Sequence, residues 1–127
     1  MNLGGFLEIE MGNDIGVCVL LSAYKPDLKF FAEQLDSIDK QTFPLTLLVR
    51  NDCPESDSLE RFIQAHITKN AYRYYHGDNN LGYVKSFEAL LSLAEGDYVV
   101  LCDQDDIWEP NRVEVSLNHM LEEGSIL

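Results

Sequence analysis

The sequence predicts an α/β fold with a mainly parallel sheet and helices on both faces. Short apolar runs alternate with longer segments in which apolar residues recur every three or four positions, in the order β-α-β-α-β-α-β-α. The chain has 127 residues, of which 46% are hydrophobic, so one domain with a substantial core is expected. No internal repeat or low-complexity segment interrupts the alternation.

The first half of the chain predicts two strands and two helices. Residues 17–21 form a continuous apolar run, as expected for a strand that is covered on both faces. The helix after it has one apolar face, formed by Leu28, Phe31, Leu35 and Ile38. Residues 45–49 form the second apolar run, and Asp57 with Glu60 resembles a capping box. The next helix then has the apolar residues Leu59, Phe62, Ile63 and Ile67.

The second half repeats this alternation. Residues 72–75 predict a short aromatic strand, and residues 98–102 predict a strand that is apolar throughout. Between them, residues 79–82 form a turn before a helix whose inner face carries Tyr83, Phe87, Leu90, Leu91 and Ala94. Gly96 stands where a helix-ending glycine is expected. Pro110 can open a last helix, with Val113, Leu117, Met120 and Leu121 facing inward.

The net charge of −13, from 9 Lys and Arg against 22 Asp and Glu, argues against nucleic acid or an anionic membrane as a partner. An anionic ligand would need a cation or a cluster of hydrogen-bond donors. No apolar run is long enough to span a membrane, and no signal peptide is predicted. Cys18, Cys53 and Cys102 lack metal-site spacing and are expected to be free thiols in a reducing cytosol. Residues 1–14 predict an N-terminal arm or extra strand, and residues 15–127 a single unit.

Three carboxylates follow the last predicted strand, at Asp103, Asp105 and Asp106. Each close pair would repel by up to about 4 kcal/mol near a protein surface, and a divalent cation would relieve this repulsion. Ligands that offer only oxygen suit Mg²⁺ or Mn²⁺ rather than zinc. A solvated acidic turn that caps the final helix explains the spacing equally well, so both interpretations stay open.

Other polar clusters also follow predicted strands, where parallel sheets bind ligands. Asp52 offers an acceptor, residues 22–24 offer backbone groups and an aromatic face, and residues 80–82 with Lys85 offer backbone donors and a cation. Each cluster alone is better explained as an ordinary turn. Because all of them fall on one edge of one sheet, together they predict a site for a nucleotide diphosphate with a bridging metal ion.

The sequence resembles the family 2 glycosyltransferases in the order and spacing of its motifs over residues 16–115. The matching stretches are residues 17–24, 34–38, 41–42, 48–52, 79–82 and 96–108. The run Asp-Gln-Asp-Asp-Ile-Trp at residues 103–108 is similar to the rhamnosyltransferase-type branch. The chain departs from the family pattern at Asn51, which replaces the first of two acids, at Cys53-Pro54, which replaces Gly-Ser, and at Lys25, which replaces Asn.

This resemblance implies a GT-A (Rossmann-like) fold that binds a nucleotide-diphosphate sugar, linked to UDP or dTDP, with Mg²⁺ or Mn²⁺. Ala23 and Tyr24 would line the nucleobase pocket, and Asp52 would contact the base. Asp103 would lie near the ribose or donor sugar, and Asp105 with Asp103 would hold the metal ion. The full set of implied nucleotide and donor residues is Ser22, Ala23, Tyr24, Asp52, Asn80, Gly82, Lys85 and Asp103.

The implied function is metal-assisted, inverting transfer of a sugar, rhamnose in the similar branch, to a saccharide or lipid-linked acceptor in surface polysaccharide synthesis. The expected location is the cytoplasm, with at most peripheral association at the inner face of the membrane.

Family members carry a second half, with the acceptor groove and the catalytic base, after the acidic motif. The resemblance therefore implies a catalytic base beyond Leu127, and no residue of this chain is assigned that role. The chain is expected to be the donor-binding half, to turn over poorly and to self-associate as a homo-oligomer.

Two alternatives are a non-catalytic nucleotide-binding module and a phosphoryl-receiver domain. A receiver domain needs an acidic pair after its first strand, where this chain has Ser22, Ala23 and Tyr24. The sequence therefore disfavours the receiver domain and leaves the nucleotide-binding module open.

Overall fold

The computed structural model describes residues 16–56 and 58–122, which form four strands and four helices in strict alternation. The strands are β1 (Val17–Ala23), β2 (Thr46–Asn51), β3 (Ala71–His76) and β4 (Tyr98–Cys102). The helices are α1 (Leu28–Asp39), α2 (Leu59–His66), α3 (Tyr83–Leu93) and α4 (Arg112–Glu122). The arm predicted for residues 1–14, the capping box at Asp57 and the end of the predicted unit at Leu127 lie outside the described residues.

The four strands form one parallel sheet in the order β3-β2-β1-β4, which confirms the predicted fold class. Leu20 in β1 aligns with Leu48 in β2 on one side and with Leu101 in β4 on the other. All seven residues of β1 are buried, as its apolar run predicts. The strand order reverses direction at β1, and such reversals in parallel sheets create ligand-binding crevices.

Helices cover both faces of the sheet. The larger core lies between one face and α1, α2 and α4, which contribute Phe31, Ile63 and Leu117. The smaller core lies on the other face, where Phe87 and Leu90 of α3 pack against β1 and β2. Connections between parallel strands are almost always right-handed, so the reversed step from β3 to β4 puts α3 on the opposite face from α1 and α2.

Strand β4 is less covered than its apolar sequence suggests. Val99 and Leu101 are exposed, with Leu101 53% exposed, because α3 packs mainly on β1 and β2. Tyr83 and Leu91, which helical spacing places on the inner face of α3, are also exposed. Leu28, the first residue of α1, is exposed as well.

Two predicted element boundaries differ from the structure by a few residues. Helix α3 ends at Leu93, and Gly96 instead lies in the turn before β4 with a φ of 128°. A Cβ at Gly96 would lie 2.9 Å from the carbonyl oxygen of Gly16, so this turn needs glycine for space and for backbone conformation. Helix α4 begins at Arg112 rather than at Pro110.

In the part of the chain that the structure describes, no helix combines the length and apolar character needed to cross a bilayer. Cys18, Cys53 and Cys102 are buried and unpaired, which confirms the prediction of free thiols. Burial raises the pKa of Cys18, and it raises the pKa of Cys102 to about 12. These two thiols are therefore protonated at neutral pH and behave as small core residues.

Candidate functional site

A cavity of about 270 Å³ lies at the edge of the sheet where the parallel strands end. Its lining comes from the end of β1, from the loops after all four strands and from the start of α3: Ser22, Tyr24, Asp52, Asn80, Gly82, Tyr83 and Gln104. Five of these seven residues belong to the set predicted from the sequence. Tyr83 and Gln104 are additional. The fold therefore brings together side chains that are up to 82 positions apart in the chain, from Ser22 to Gln104.

Asp52 fastens the loop before α3 to the end of β2. Its side chain is buried, and its two carboxylate oxygens accept hydrogen bonds from the backbone amides of Leu81 at 2.9 Å and Gly82 at 3.0 Å. The guanidinium of Arg50 forms an ion pair with the same carboxylate. A carboxylate can accept about four hydrogen bonds, so this arrangement leaves acceptor capacity toward the cavity.

A buried polar network supports Asp52 from below. Arg50 donates to the hydroxyl of Ser86 at 3.2 Å and to the carbonyl oxygen of Asn79 at 3.2 Å. Ser22 donates to the Ser86 hydroxyl at 2.6 Å. The network thus joins β1, β2, α3 and the loop before α3. It gives hydrogen-bond partners to polar groups that would otherwise be buried without any beside the smaller core.

Asn51, which departs from the acid usual in the family pattern, closes the turn after β2. Its side-chain amide donates to the carbonyl oxygen of Ser56 at 2.6 Å and to the hydroxyl of Tyr74 at 3.0 Å, and its oxygen accepts from the amide of Cys53 at 3.1 Å. A carboxylate has no hydrogen to donate to the carbonyl oxygen of Ser56. The departure therefore has a structural role in this chain.

The loop after β4 is tied to the loop after β1. Gln104 accepts a hydrogen bond from the backbone amide of Tyr24 at 2.7 Å and donates to the carbonyl oxygen of Tyr24 at 3.2 Å. This reciprocal pair leaves the ring of Tyr24 at the cavity, where it is 42% exposed. The ammonium of Lys25 lies 5.4 Å from the centre of that ring. The pair of loops therefore presents an aromatic face to the cavity.

The acidic side chains of the loop after β4 face solvent. Asp103, Asp105 and Asp106 are all exposed, and the hydroxyl of Tyr83 donates to the carboxylate of Asp103. That hydrogen bond raises the pKa of the Tyr83 hydroxyl. Among residues 16–56 and 58–122, no three Asp, Glu, His or Cys side chains are grouped closely enough to hold a metal ion by themselves.

The donor set nevertheless fits a hard cation that is shared with a ligand. Mg²⁺ and its relatives are commonly held by one or two carboxylates together with substrate phosphates and water. Asp103 and Asp105 offer two exposed carboxylates, and Tyr83 beside Asp103 and Gln104 between them both line the cavity. The two acids therefore lie beside residues that line the cavity.

Four residues of the predicted site do not line this cavity, although all lie in the described part of the chain: the two acids Asp103 and Asp105, and also Ala23 and Lys85. The side chain of Ala23 is fully buried in the larger core, and its carbonyl oxygen accepts a hydrogen bond from the backbone amide of Asp52 at 2.8 Å. Lys85 is exposed on the first turn of α3. Ala23 therefore contributes through its backbone, and Lys85 stands outside the lining.

The position of the catalytic base of the implied reaction is not tested by the residues that line the cavity. The family resemblance implies a base beyond Leu127, and that position lies outside residues 16–56 and 58–122, which the structure describes. The location of the base therefore stays a prediction.

The sequence does not single out four residues that shape the site: Gln34, Arg50, Ser86 and Gln104. All four lie inside predicted strands, helices or motifs, but none stands out by charge pattern or periodicity. Their partners are distant in sequence, such as Ser22 with Ser86 and Gln34 with Asp103. These contacts become visible only when the three-dimensional arrangement of the strands and helices is known.

The sequence model of the family described as "Glycosyl transferase family 2" matches residues 18–127. An uncharacterized glycosyltransferase of Methanocaldococcus jannaschii is 27% identical over 106 residues, which are 82% of this chain and 37% of that protein. The putative colanic acid biosynthesis glycosyl transferase WcaA of Escherichia coli is 32% identical over 74 residues, which are 58% of this chain and 26% of that protein. The chain thus spans about a third of the length of these relatives.

Solved structures share the fold. The crystal structure of Staphylococcus aureus TarS 1–349 in complex with UDP-GlcNAc aligns with a TM-score of 0.76 and 24% identity, covering 87% of this chain and 32% of that one. The mannosyltransferase PcManGT of Pyrobaculum calidifontis, in complex with GDP-Man and Mn²⁺, aligns with a TM-score of 0.71 and 20% identity. That alignment covers 82% of this chain and 32% of the other.

Proposed function

Because the chain belongs to glycosyl transferase family 2, we propose that its cavity binds the nucleotide diphosphate of a sugar donor whose sugar the whole protein transfers. The observation that carries this proposal is the convergence of Ser22, Tyr24, Asp52, Asn80 and Gly82 on one cavity. Solved relatives with the same fold hold UDP-GlcNAc or GDP-Man. A nucleotide-sugar donor is therefore the ligand class with the most support.

The nucleobase would bind between the loops after β1 and β2. The exposed ring of Tyr24 offers a stacking face, and the carboxylate of Asp52 retains acceptor capacity for a base N–H group. Because Asp52 is anchored by Arg50 and two backbone amides, its orientation is set before any ligand arrives. We expect this rigidity to favour uracil or thymine, which present an N–H between two carbonyl groups.

The diphosphate would bind beside the loop after β4, with Asp105 and Asp103 as the protein ligands of a Mg²⁺ or Mn²⁺ ion. When bound, such an ion stabilises the charge that develops on the leaving diphosphate as the bond to the sugar breaks. The need for it follows from charge, because a chain of net charge −13 repels an anionic donor. The presence of Mn²⁺ with GDP-Man in a relative of the same fold supports this assignment.

The finer parts of the proposal concern the sugar and its destination. The motif at residues 103–108 favours rhamnose as the donor sugar, linked to dTDP or UDP. The similarity to a putative colanic acid transferase supports a saccharide or lipid-linked acceptor in surface polysaccharide synthesis. We further propose an inverting mechanism at the cytoplasmic side of a membrane, with peripheral association and a homo-oligomeric protein.

Titration of the purified chain with UDP, dTDP and GDP, with and without Mn²⁺, tests the site. We expect Mn²⁺ to lower the Kd for UDP or dTDP at least about tenfold, which corresponds to about 1.4 kcal/mol. The variant Asp105→Asn should lose this gain. Glu88→Gln, which makes the same charge change on the exposed surface of α3, should keep it.

Two outcomes would contradict the site. The first is an absence of nucleotide binding at millimolar concentration, with or without the metal ion. The second is binding that Asp105→Asn and Glu88→Gln weaken equally, since the effect would then reflect net charge alone.

The alternative of a non-catalytic nucleotide-binding module predicts the same titration curves. Release of UDP or dTDP from a panel of sugar donors, dTDP-rhamnose among them, separates the two. In the longest reading frame that contains this chain, release in the presence of an acceptor favours the transferase. Tight binding without release favours the module.

A further inference from the structure

Gln34 is a polar side chain that lies fully buried in the middle of α1, with no exposed surface. Its amide nitrogen donates to the carbonyl oxygen of Asp103 at 2.6 Å and to the sulfur of Cys102 at 3.2 Å. Its oxygen accepts from the backbone amide of Asp105 at 3.3 Å. One side chain thus bonds the backbone on both sides of Gln104, at the two acids assigned to the metal ion.

The backbone that Gln34 holds is in an uncommon conformation. Asp105 has a φ of 71°, in the left-handed region that is unfavourable for most residues with a side chain. On its other side the loop is held by the bonds between Gln104 and Tyr24. Two side-chain amides therefore fix this loop from opposite directions, one from the core and one from the cavity.

We propose that Gln34 is a positioning residue for metal-dependent nucleotide binding, acting through the backbone of Asp103 and Asp105. This inference rests on the proposed function. An apolar side chain of similar size would fill the same space but would leave the Asp103 carbonyl and the Asp105 amide without their buried partner. The loop would then relax, and the two carboxylates would lose the spacing that the structure gives them.

The variants Gln34→Leu and Gln34→Met test this role. The decisive quantity is the ratio of the Kd for UDP without Mn²⁺ to the Kd with Mn²⁺, together with the Mn²⁺ affinity of the chain measured by electron paramagnetic resonance. Groups that orient metal ligands typically change metal affinity about 10- to 100-fold. We expect both variants to lower Mn²⁺ affinity within that range and to bring the Kd ratio down toward 1, while metal-free UDP binding stays within about twofold of wild type.

Gln41 offers a matched control, because it is a second buried side-chain amide that bonds backbone atoms, here in the segment that follows the three acids. It donates to the carbonyl oxygen of Glu109 at 2.7 Å and accepts from the amide of Val113 at 2.9 Å. Gln41→Leu should lower the thermal midpoint about as much as Gln34→Leu. It should leave the Kd ratio unchanged.

Each result bears on the inference. If the wild-type chain binds UDP and Mn²⁺ but both Gln34 variants keep the wild-type Kd ratio, the positioning role alone is overturned. A wild-type chain that binds neither would overturn the proposed function as well. Failure of both Gln34 variants to fold would also overturn the positioning role, since Gln34 would then be required for the fold rather than for the site.

Discussion

Gly77 shows how tightly the residues beneath the cavity are packed. A Cβ at this position would overlap the Nη2 atom of Arg50 and would lie 2.6 Å from the central carbon of its guanidinium. The guanidinium is itself held by Asp52, Ser86 and the carbonyl oxygen of Asn79, so it cannot move without breaking those bonds. Even one added methyl group must therefore disturb the network that orients Asp52.

The variant Gly77→Ala should lower the free energy of unfolding by about 1–3 kcal/mol, the usual range for overpacking a filled site. It should also weaken UDP binding, because the displaced Arg50 no longer anchors Asp52. Urea unfolding and a UDP titration measure the two effects. The neighbouring variant Asp78→Ala, at an exposed position, is the control, and equal stability of the two variants would contradict this account.

At the residue scale, the sequence identifies side chains that follow strands but misses those that hold them. Asp52 and Tyr24 stand out because they follow apolar runs, and both line the cavity. Arg50 and Ser86 do not stand out, since one lies inside a strand and the other inside a helix. Their contacts depend on which strands are neighbours, and local spacing does not contain that information.

At the scale of elements, Asp39 joins the end of α1 to the loop that enters β3. Its carboxylate accepts backbone hydrogen bonds from Thr68 at 3.0 Å, Lys69 at 3.1 Å and Asn70 at 3.1 Å. Burial raises the pKa of Asp39, but hydrogen bonds from Thr68, Asn70 and Lys69 outweigh it and lower the pKa overall. Ionisation of the Asp39 carboxyl is therefore more favourable in the folded chain than in the unfolded chain.

This shift predicts how stability depends on pH. The pKa of Asp39 is lower in the folded state, so its contribution is full above the unfolded value of about 3.9 and is lost as the pH falls through the folded value. Asp39→Asn should lower stability at pH 7 by about 1–3 kcal/mol, because the added amide hydrogens meet backbone donors. Urea unfolding measured from pH 7 to pH 3 should show a smaller loss for Asp39→Asn than for wild type. Parallel curves would contradict the assignment.

The order and type of the described elements follow from apolar patterning, and the exceptions follow from tertiary coverage. Strand β1 is predicted as buried on both faces, and it is, since helices pack on each side. The apolar run of β4 suggests equal burial, yet Val99 and Leu101 are exposed at the edge of the sheet. Coverage depends on where α3 packs, and an apolar run cannot specify that position.

At the scale of the whole molecule, the net charge of −13 opposes compactness. Three ion pairs occur within residues 16–56 and 58–122, and one of them involves a histidine. Most carboxylates in this part of the chain therefore have no opposite charge in contact, and dissolved ions screen their mutual repulsion.

Added NaCl should therefore stabilise the fold. We expect the urea midpoint to rise between about 20 and 200 mM NaCl, over which the screening length falls from above 10 Å to below it. Glu88→Lys, which changes the net charge from −13 to −11 (−13 + 2), should show a smaller rise. A midpoint that falls with salt in the wild-type chain would mean that attractive pairs outweigh the repulsion.

The hydrogen bonds that join the four cavity loops to one another and to the core have a consequence for the speed of binding. Asp52 holds the loop before α3, Gln104 holds the loop after β1, and Gln34 holds the loop after β4, all through backbone atoms. The conformational entropy of these loops is therefore lost during folding rather than on ligand binding. Association should then occur in a single fast phase, limited by diffusion against the negative field of the protein, with no slow rearrangement after the encounter.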